Sequence, residues 1–526
     1  MTIMRFILAL LFAVGTTRAA DTPPNIVFIL ADDLGITDIN AYARHFTGAK
    51  PDELFHETPH LDKLAADGIA FSQSYANQLC SPTRAAILTG RIASRMGVTT
   101  ATPNTKTYFN QGQKPPADYN PHDVLEHKDP IAGIRPWINA TSNTALDPSI
   151  PAWPQVLKTH DCAFLGKWHL GGHGAPDRQP AAFGFQELAY FDAGGSPYFK
   201  WQRVWDQKKP FYPTMPGRFQ IGNAGEPTDD KYLTDDLSLR ATRYLESRRA
   251  DKKPFVLYYC PFAVHTPFQA PPEDVKRFSG KKQRGHLGHN NPTYAAMLKH
   301  LDDSVGAIRA TLEKTGLSEN TVLIFTSDNG GVEYTEPPAT DNQPFKGGKA
   351  CLYEGGVRVP VIVFQPGRYE GGQWCDAVTD CTDFLPTVAE LTGNPPPADI
   401  DGKSMLPLLL DPKSPGPERT LIWHYPFNVQ VKHPDNGLPL SPHSAIRSGD
   451  HKLIWDWHGK LELYDIPNDP YEKHDLAKEN PELTARLHTQ LKDWLNKNVA
   501  PRYFPRRDES VTGESATQPF PFQDLR

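Results

Sequence analysis

Four short apolar runs each end abruptly in reactive polar side chains, and this punctuation narrows the possible folds more than any other feature of the chain. Asn25-Ile26-Val27-Phe28-Ile29-Leu30 runs into Asp32-Asp33, and Val322-Leu323-Ile324-Phe325 runs into Ser327-Asp328-Asn329. Phe255-Val256-Leu257-Tyr258-Tyr259 leads to His265, and Cys162-Ala163-Phe164-Leu165 leads to Lys167 and His169. Runs without polar alternation fit strands covered on both faces, as in a parallel sheet flanked by helices. In open α/β sheets ligands sit beyond the carboxyl ends of the strands. The four polar clusters therefore point to one shared site.

Helical segments separate the runs. Thr58-Pro59 is expected to cap a helix carrying Leu61, Leu64 and Ala65 on one face, closed by Gly68. Tyr294, Leu298, Leu301, Val305, Ile308 and Leu312 recur at helical spacing, with Gly316 just beyond. The stretch from Thr99 to Pro154 is polar and Pro-rich and reads as a long surface excursion that shapes access. A Pro-rich linker, Asp411 to Pro417, precedes short β-like runs at Lys452–Trp455 and Leu461–Tyr464. A helix with Leu483, Leu487, Leu491 and Leu495 follows, and the tail after Pro501 looks irregular. These divisions predict a signal at residues 1–20, a catalytic domain at 21–415 and a C-terminal α+β subdomain with tail at 416–526.

Composition closes off several classes. With 55 basic against 61 acidic residues the net charge is -6, which argues against a general nucleic-acid binder. An anionic ligand then needs a local basic pocket. The 51 prolines imply many rigid loops. The first twenty residues read as a secretory signal: a short basic start, an apolar run Phe6–Val14, then small residues to Ala19-Ala20. That run is too short to span a bilayer, so export with cleavage is expected, to a secreted or periplasmic location without stable membrane insertion. Six cysteines are few for this length in an exported chain; Cys375 and Cys381 are close enough in sequence to pair.

Two constellations carry chemistry. Asp32-Asp33, with Asp328-Asn329 ending another strand, offers hard oxygen ligands without a His or Cys cluster, which favours Ca²⁺ or Mg²⁺ over Zn²⁺. Alone, the Asp pair reads equally well as a solvated helix cap. The second is Leu79-Cys80-Ser81-Pro82-Thr83-Arg84, continuing to Leu88-Thr89-Gly90-Arg91. Pro82 suits the first turn of a helix, which puts Cys80 at its positive end near Arg84. Such a setting makes an anion pocket and is expected to lower a thiol pKa. For a lone cysteine, the competing reading is an inert core residue.

Cys-x-Pro-x-Arg followed by Leu-Thr-Gly-Arg resembles the signature of the formylglycine-dependent sulfatases, arylsulfatase-like members of the alkaline phosphatase superfamily. Further motifs agree in order: Asn25–Gly35, Gly166-Lys167-Trp168-His169-Leu170-Gly171, His265-Thr266-Pro267, Thr326-Ser327-Asp328-Asn329-Gly330, and Gly348-Lys349 through Glu354-Gly355-Gly356 to Pro360. The resemblance covers roughly residues 25–500. It implies an α/β fold, a large mixed, mostly parallel β-sheet sandwiched by helices, plus a small C-terminal α+β domain with a short antiparallel sheet. It also implies that Cys80 becomes formylglycine through a formylglycine-generating enzyme. Asp32, Asp33, Asp328 and Asn329 would then hold Ca²⁺, with Mg²⁺ second, together with the modified Cys80. Arg84 would orient the aldehyde hydrate, and Lys167 and Lys349 would neutralise sulfate, with Lys346 a lesser candidate than Lys349. His169 would act as base and His265 as acid. One hydroxyl of the hydrate attacks sulfur, the alcohol leaves, and the second hydroxyl expels sulfate and restores the aldehyde.

The expected activity is a sulfatase on a sulfated carbohydrate. A phosphate or phosphonate monoester hydrolase of the same superfamily is the alternative, and a non-catalytic carbohydrate-binding relative a third reading. Trp137, Trp153, Trp201, Trp205, Tyr198 and Phe199 lie on segments able to stack sugar rings, although ordinary packing accounts for them equally well. Trp423-His424-Tyr425 and His443 are C-terminal candidates for the pocket.

Overall fold

The computed structural model describes residues 23–102, 137–138, 140, 142–172, 176–205, 222–225, 231–281, 288–435, 437, 439–457 and 459–507. The expected signal segment, most of the Thr99–Pro154 excursion and the tail beyond residue 507 lie outside them. In chain order the first eleven strands are β1 (Asn25–Ala31), β2 (Ile69–Tyr75), β3 (Trp137–Ile138), β4 (Asp161–Lys167), β5 (Gln186–Phe191), β6 (Gly222–Asn223), β7 (Phe255–Cys260), β8 (Thr321–Ser327), β9 (Arg358–Phe364), β10 (Gln373–Cys375) and β11 (Thr379–Asp380). All but β3 form one sheet in the order β10-β2-β9-β8-β1-β7-β4-β5-β6, with β11 also against β2. The central strands β8, β1, β7, β4 and β5 run parallel. β9 is antiparallel to both β2 and β8, and β6 to β5, so the sheet is mixed and mostly parallel.

The apolar runs are explained by what covers them. In β1, Val27, Ile29 and Ala31 enter one core, while Ile26, Phe28 and Leu30 enter another on the opposite face. The first face is covered by the helices Pro59–Asp67, Leu233–Ser247 and Pro292–Thr315, the second by Cys80–Thr89 and Phe384–Leu391. With both faces covered, no position in β1, β7 or β8 is left to face water.

The long helix Pro292–Thr315 is capped at its start by Asn291, whose side chain accepts from the Thr293 and Tyr294 amides at 3.1 Å, and closed by Gly316 at φ 74°. The helix Pro59–Asp67 departs from expectation. Thr58 makes no cap; its hydroxyl donates to Asp62 at 3.0 Å, and the first helical amides, of His60 and Leu61, donate to Asp302 of the long helix at 3.0 and 2.7 Å. A carboxylate from across the packed interface thus does the work of a local hydroxyl.

After the helix Leu406–Leu410 the chain enters a second, antiparallel sheet in the order β12 (Thr420–Tyr425), β15 (His443–Ser448), β16 (His451–Asp456), β17 (Leu461–Asp465). Two minor pairs complete the strands: β13 (Val429–Lys432) with β14 (Pro439–Leu440), and β18 (Arg506–Arg507) with β3. The helix Pro481–Asn498 buries Leu487, Leu491 and Leu495 against Ile446, Leu453, Trp455 and Leu463. All six cysteines are free and buried. Cys375 and Cys381, close enough in sequence to pair, stay apart within one buried core: Cys375 ends β10, whereas Cys381 opens a turn with its sulfur beside Asn77 and Asp380. No helix among the described residues is long and apolar enough to cross a membrane.

Candidate active site

Strand register assembles the site. Ala31 pairs with Ser327 across β1 and β8, and the Asp328 amide donates to the Ala31 carbonyl at 3.1 Å, so Asp32-Asp33 and Asp328-Asn329 leave the sheet side by side. β4 ends at Lys167 two strands away. Gly166 belongs in that motif because a β-carbon there would stand 1.9 Å from the Cys260 carbonyl of β7. Asp33 at φ 60° and His169 at φ 53° occupy the left-handed region, at about 1–2 kcal/mol each.

Four acidic or amide groups and three cations lock together here, all of them buried. Lys167 Nζ donates to both oxygens of Asp32 at 2.8 Å. Lys349 Nζ reaches Asp33 at 2.7 Å. Arg84 holds Asp328 Oδ2 with Nε at 2.9 Å and Nη2 at 2.8 Å, and donates through Nη1 to the Lys167 carbonyl at 2.9 Å. Asn329 Nδ2 donates to Asp33 Oδ1 at 2.9 Å. Asp32, Asp33 and Asp328 against Arg84, Lys167 and Lys349 balance in formal charge.

Cys80 opens the helix Cys80–Thr89, with Sγ 3.2 Å from His169 Nδ1. His265 sits across the cluster with Nε2 3.6 Å from Asp33 Oδ2, its Nδ1 only 2.6 Å from the Thr266 carbonyl. The structure therefore brings Asp32, Asp33, Cys80, Arg84, Lys167, His169, His265, Asp328, Asn329 and Lys349 into one place. Lys346 is not among them; it reaches Asp435 at 2.7 Å and the Tyr464 hydroxyl at 3.2 Å.

Burial dominates the electrostatics. It pushes the Asp32 carboxyl up against the pull of Lys167, with Asp328 and Asp33 adding to the rise. Asp33 is also raised by burial, but Lys349, His265 and Lys167 overcome this and hold it below the usual carboxylate range. Burial and the nearby cations together hold His265 neutral, despite Asp33. The expectation of an acidified Cys80 thiol is overturned. Burial raises its pKa, and Lys167 and Lys349 offset that only in part, while Asp328 and Asp32 oppose them. The helix-end setting is present, but the desolvation of a thiolate outweighs it.

The donor set fits a hard divalent cation. Asn329 Oδ1 is buried with no hydrogen-bond partner, and the carboxylates beside it offer further oxygens. Ligand atoms of Asp32, Asp33 and His265 also come within 4.8 Å of one another, so His265 stands closer to the acidic group than its sequence position suggested. Most of the aromatic candidates are core residues: Tyr198, Trp153, Trp201 and Trp205 are at most 1% exposed, because each packs into the hydrophobic cores rather than onto the surface. Phe199 is exposed, and the side chain of Trp137 lies outside the description. Trp423 and His424 are tied to the Ala76 carbonyl and to Ser444 and Tyr503, so they hold the small sheet in place. Tyr334, which the sequence reading passed over, is exposed and lies within the field of Lys349 and Asp33.

Comparison with known proteins agrees with this geometry. The family described as Sulfatase matches residues 24–394, and the family described as N-sulphoglucosamine sulphohydrolase, C-terminal, matches 347–498. N-acetylgalactosamine-6-sulfatase of Rattus norvegicus is 32% identical over 77% of this chain and 70% of its own. A sulfatase of Formosa agariphila is 29% identical over 94% of this chain and 92% of its own. Among solved structures, Ps i-CgsB in complex with k-i-k-neocarrahexaose is similar at a TM-score of 0.68 and 28% identity, over 92% of this chain and 95% of that one.

Proposed function

This chain belongs to the sulfatase family and is a sulfuric ester hydrolase, and from that premise we propose that it removes sulfate from a sulfated carbohydrate, using formylglycine made from Cys80 and a bound Ca²⁺. The observation that carries the reading is the meeting of Cys80 and His169, at 3.2 Å, with a charge-balanced cluster of three carboxylates and three cations. A dication and a released sulfate dianion add equal and opposite charge, so the balance survives product formation. The carbohydrate part of the proposal draws support from the similarity to N-acetylgalactosamine-6-sulfatase and to a structure holding a neocarrahexaose.

Formylglycine, once hydrated, supplies an oxygen nucleophile and a second hydroxyl whose deprotonation expels sulfate. Asp32, Asp33, Asp328 and Asn329 are the residues proposed to hold Ca²⁺, which when bound would polarise the sulfate oxygens. Arg84, fixed by Asp328, directs its charge at residue 80. Lys167 and Lys349 turn part of their hydrogen bonding from Asp32 and Asp33 to the sulfate oxygens as charge develops. His169 Nδ1 faces residue 80 and takes the proton whose loss releases sulfate. His265 donates through Nδ1 to the Thr266 carbonyl, which turns Nε2 toward the departing oxygen. There it acts as acid only in the imidazolium form, so the ring must take up a proton at Nε2 as the anionic ester binds and give that proton to the alcohol as the ester bond breaks. The N-terminal segment is proposed to direct export, with a formylglycine-generating enzyme acting on Cys80.

The test is direct. Mass spectrometry of the peptide containing Cys80 is expected to find the aldehyde or its hydrate, and sulfate is expected from defined carrageenan, chondroitin or heparin oligosaccharides. Activity confined to small alkyl or choline sulfates would overturn the carbohydrate reading. Faster turnover of an aryl phosphate than of the matching aryl sulfate would overturn the reaction itself.

A further inference from the structure

The segment that follows β5, Asp192 to Tyr198, touches both histidines of the site while holding no group with an evident chemical role of its own. A β-carbon on Gly194 would stand 3.1 Å from His169 Cε1 and 3.3 Å from its Nε2. One on Gly195 would stand 3.3 Å from His265 Nδ1, 3.4 Å from its Cε1 and 2.9 Å from the Thr266 carbonyl. Neither glycine adopts the left-handed region, so backbone conformation does not demand glycine at either position. Space is what favours it: a side chain at Gly194 would press on the His169 ring, and one at Gly195 on the Thr266 carbonyl first and then on the His265 ring. His169 is thus flanked by Cys80 on one side and Gly194 on another, and His265 by Asp33 and Gly195.

The two ends of the segment are tied to the two loops that bear the histidines. Asp192, fully buried, accepts the Gly171 amide at 3.0 Å and the Gln179 side-chain amide at 3.0 Å, which fixes it to the backbone two residues beyond His169. Tyr198, also fully buried, directs its hydroxyl at the His265 carbonyl at 2.8 Å and the Phe262 carbonyl at 2.6 Å. A chain of seven residues therefore links the two loops and rests its glycines on both rings.

We propose that Asp192–Tyr198 is a positioning brace that sets the two imidazoles relative to each other, with Gly194 gauging His169 and Gly195 gauging His265. The inference rests on the roles given above to those histidines. Because His265 serves the leaving alcohol, its displacement matters most for poor leaving groups. His169 serves the later release of sulfate, which is the same for every ester. Misplacing a catalytic group by about 1 Å costs on the order of 100-fold in rate.

The experiment compares Gly194→Ala, Gly195→Ala and Tyr198→Phe with the parent enzyme on a sulfated sugar and on 4-nitrophenyl sulfate, with crystal structures of both alanine variants. Gly195→Ala and Tyr198→Phe are expected to lower kcat/KM on the sugar about 10- to 100-fold and on the aryl ester by less than about 3-fold. Gly194→Ala is expected to lower kcat on every ester whose turnover is limited by sulfate release. The control Gly280→Ala, outside the segment and with room for a β-carbon whose nearest neighbour would be 3.5 Å away, is expected to keep parental rates. Parental kinetics in both folded alanine variants, or equal losses on the two esters for Gly195→Ala, would overturn the brace. A parent enzyme that released sulfate from neither ester would defeat the functional reading instead. The crystal structures would then decide the brace alone, with rings displaced by about 0.5 Å or more supporting it and unmoved rings refuting it.

Discussion

At residue 80 the chemistry and the environment pull apart. The side chain is 2% exposed, and burial keeps the thiol protonated in spite of Lys167 and Lys349, so an unmodified cysteine here is a poor nucleophile. Cys80→Ser is accordingly expected to fold normally while sulfate release falls at least about 1,000-fold, measured by ion chromatography with the melting temperature as the folding control. The motif residues around this position were legible in the sequence because each sits at a fixed offset from a strand or helix end. The thiol's electrostatics were not, since desolvation depends on what the rest of the chain packs over the helix start. Tyr334 escaped notice for a related reason. Its place in the field of Lys349 comes from a loop path, and no periodicity encodes loop paths.

At the scale of elements, the continuous apolar runs revealed the central strands because covering both faces removes every polar position. Thr58 misled for the opposite reason: a local cap signal was displaced by Asp302, which is distant in sequence. The same helix interface carries a testable charge. His300, on the long helix, lies 2.6 Å from Asp235 and 3.0 Å from Asp274, pinning three helices together. Burial lowers its pKa, but the bonds and charges of Asp235 and Asp274 outweigh that, and Lys299, to raise it above 6.5. The unfolded chain has the ordinary value, so the stabilisation is fully present below pH 6.5 and is lost as pH rises through the higher folded value. His300→Gln is expected to cost about 1–3 kcal/mol at pH 6 and close to nothing at pH 9, read by urea unfolding at the two pH values.

For the whole molecule, the small sheet is fastened to the large one by buried charge. Lys452 of β16 lies 2.9 Å from both Glu354 and Glu472, and Glu354 also accepts from Arg358 at 2.7 Å. Lys452→Met leaves two buried carboxylates facing each other, and is expected to destabilise by about 3–5 kcal/mol. Because Glu354 begins the turn after Lys349, activity is expected to fall at temperatures below the melting point, a split visible by assaying and melting the same sample. The C-terminal sheet was foreseeable from its strand-like runs, but its role as a fastening was not, because partners separated by about a hundred residues leave no local mark. The enclosure of Cys80 also has a consequence in time. A protein catalyst that rewrites this side chain has no route to it once the strand end, the helix and the two histidine loops have closed around it. The alteration proposed for Cys80 would therefore have to precede folding. Chain folded first and exposed to the modifying activity afterwards should stay a thiol indefinitely, whereas the same chain presented unfolded should be converted.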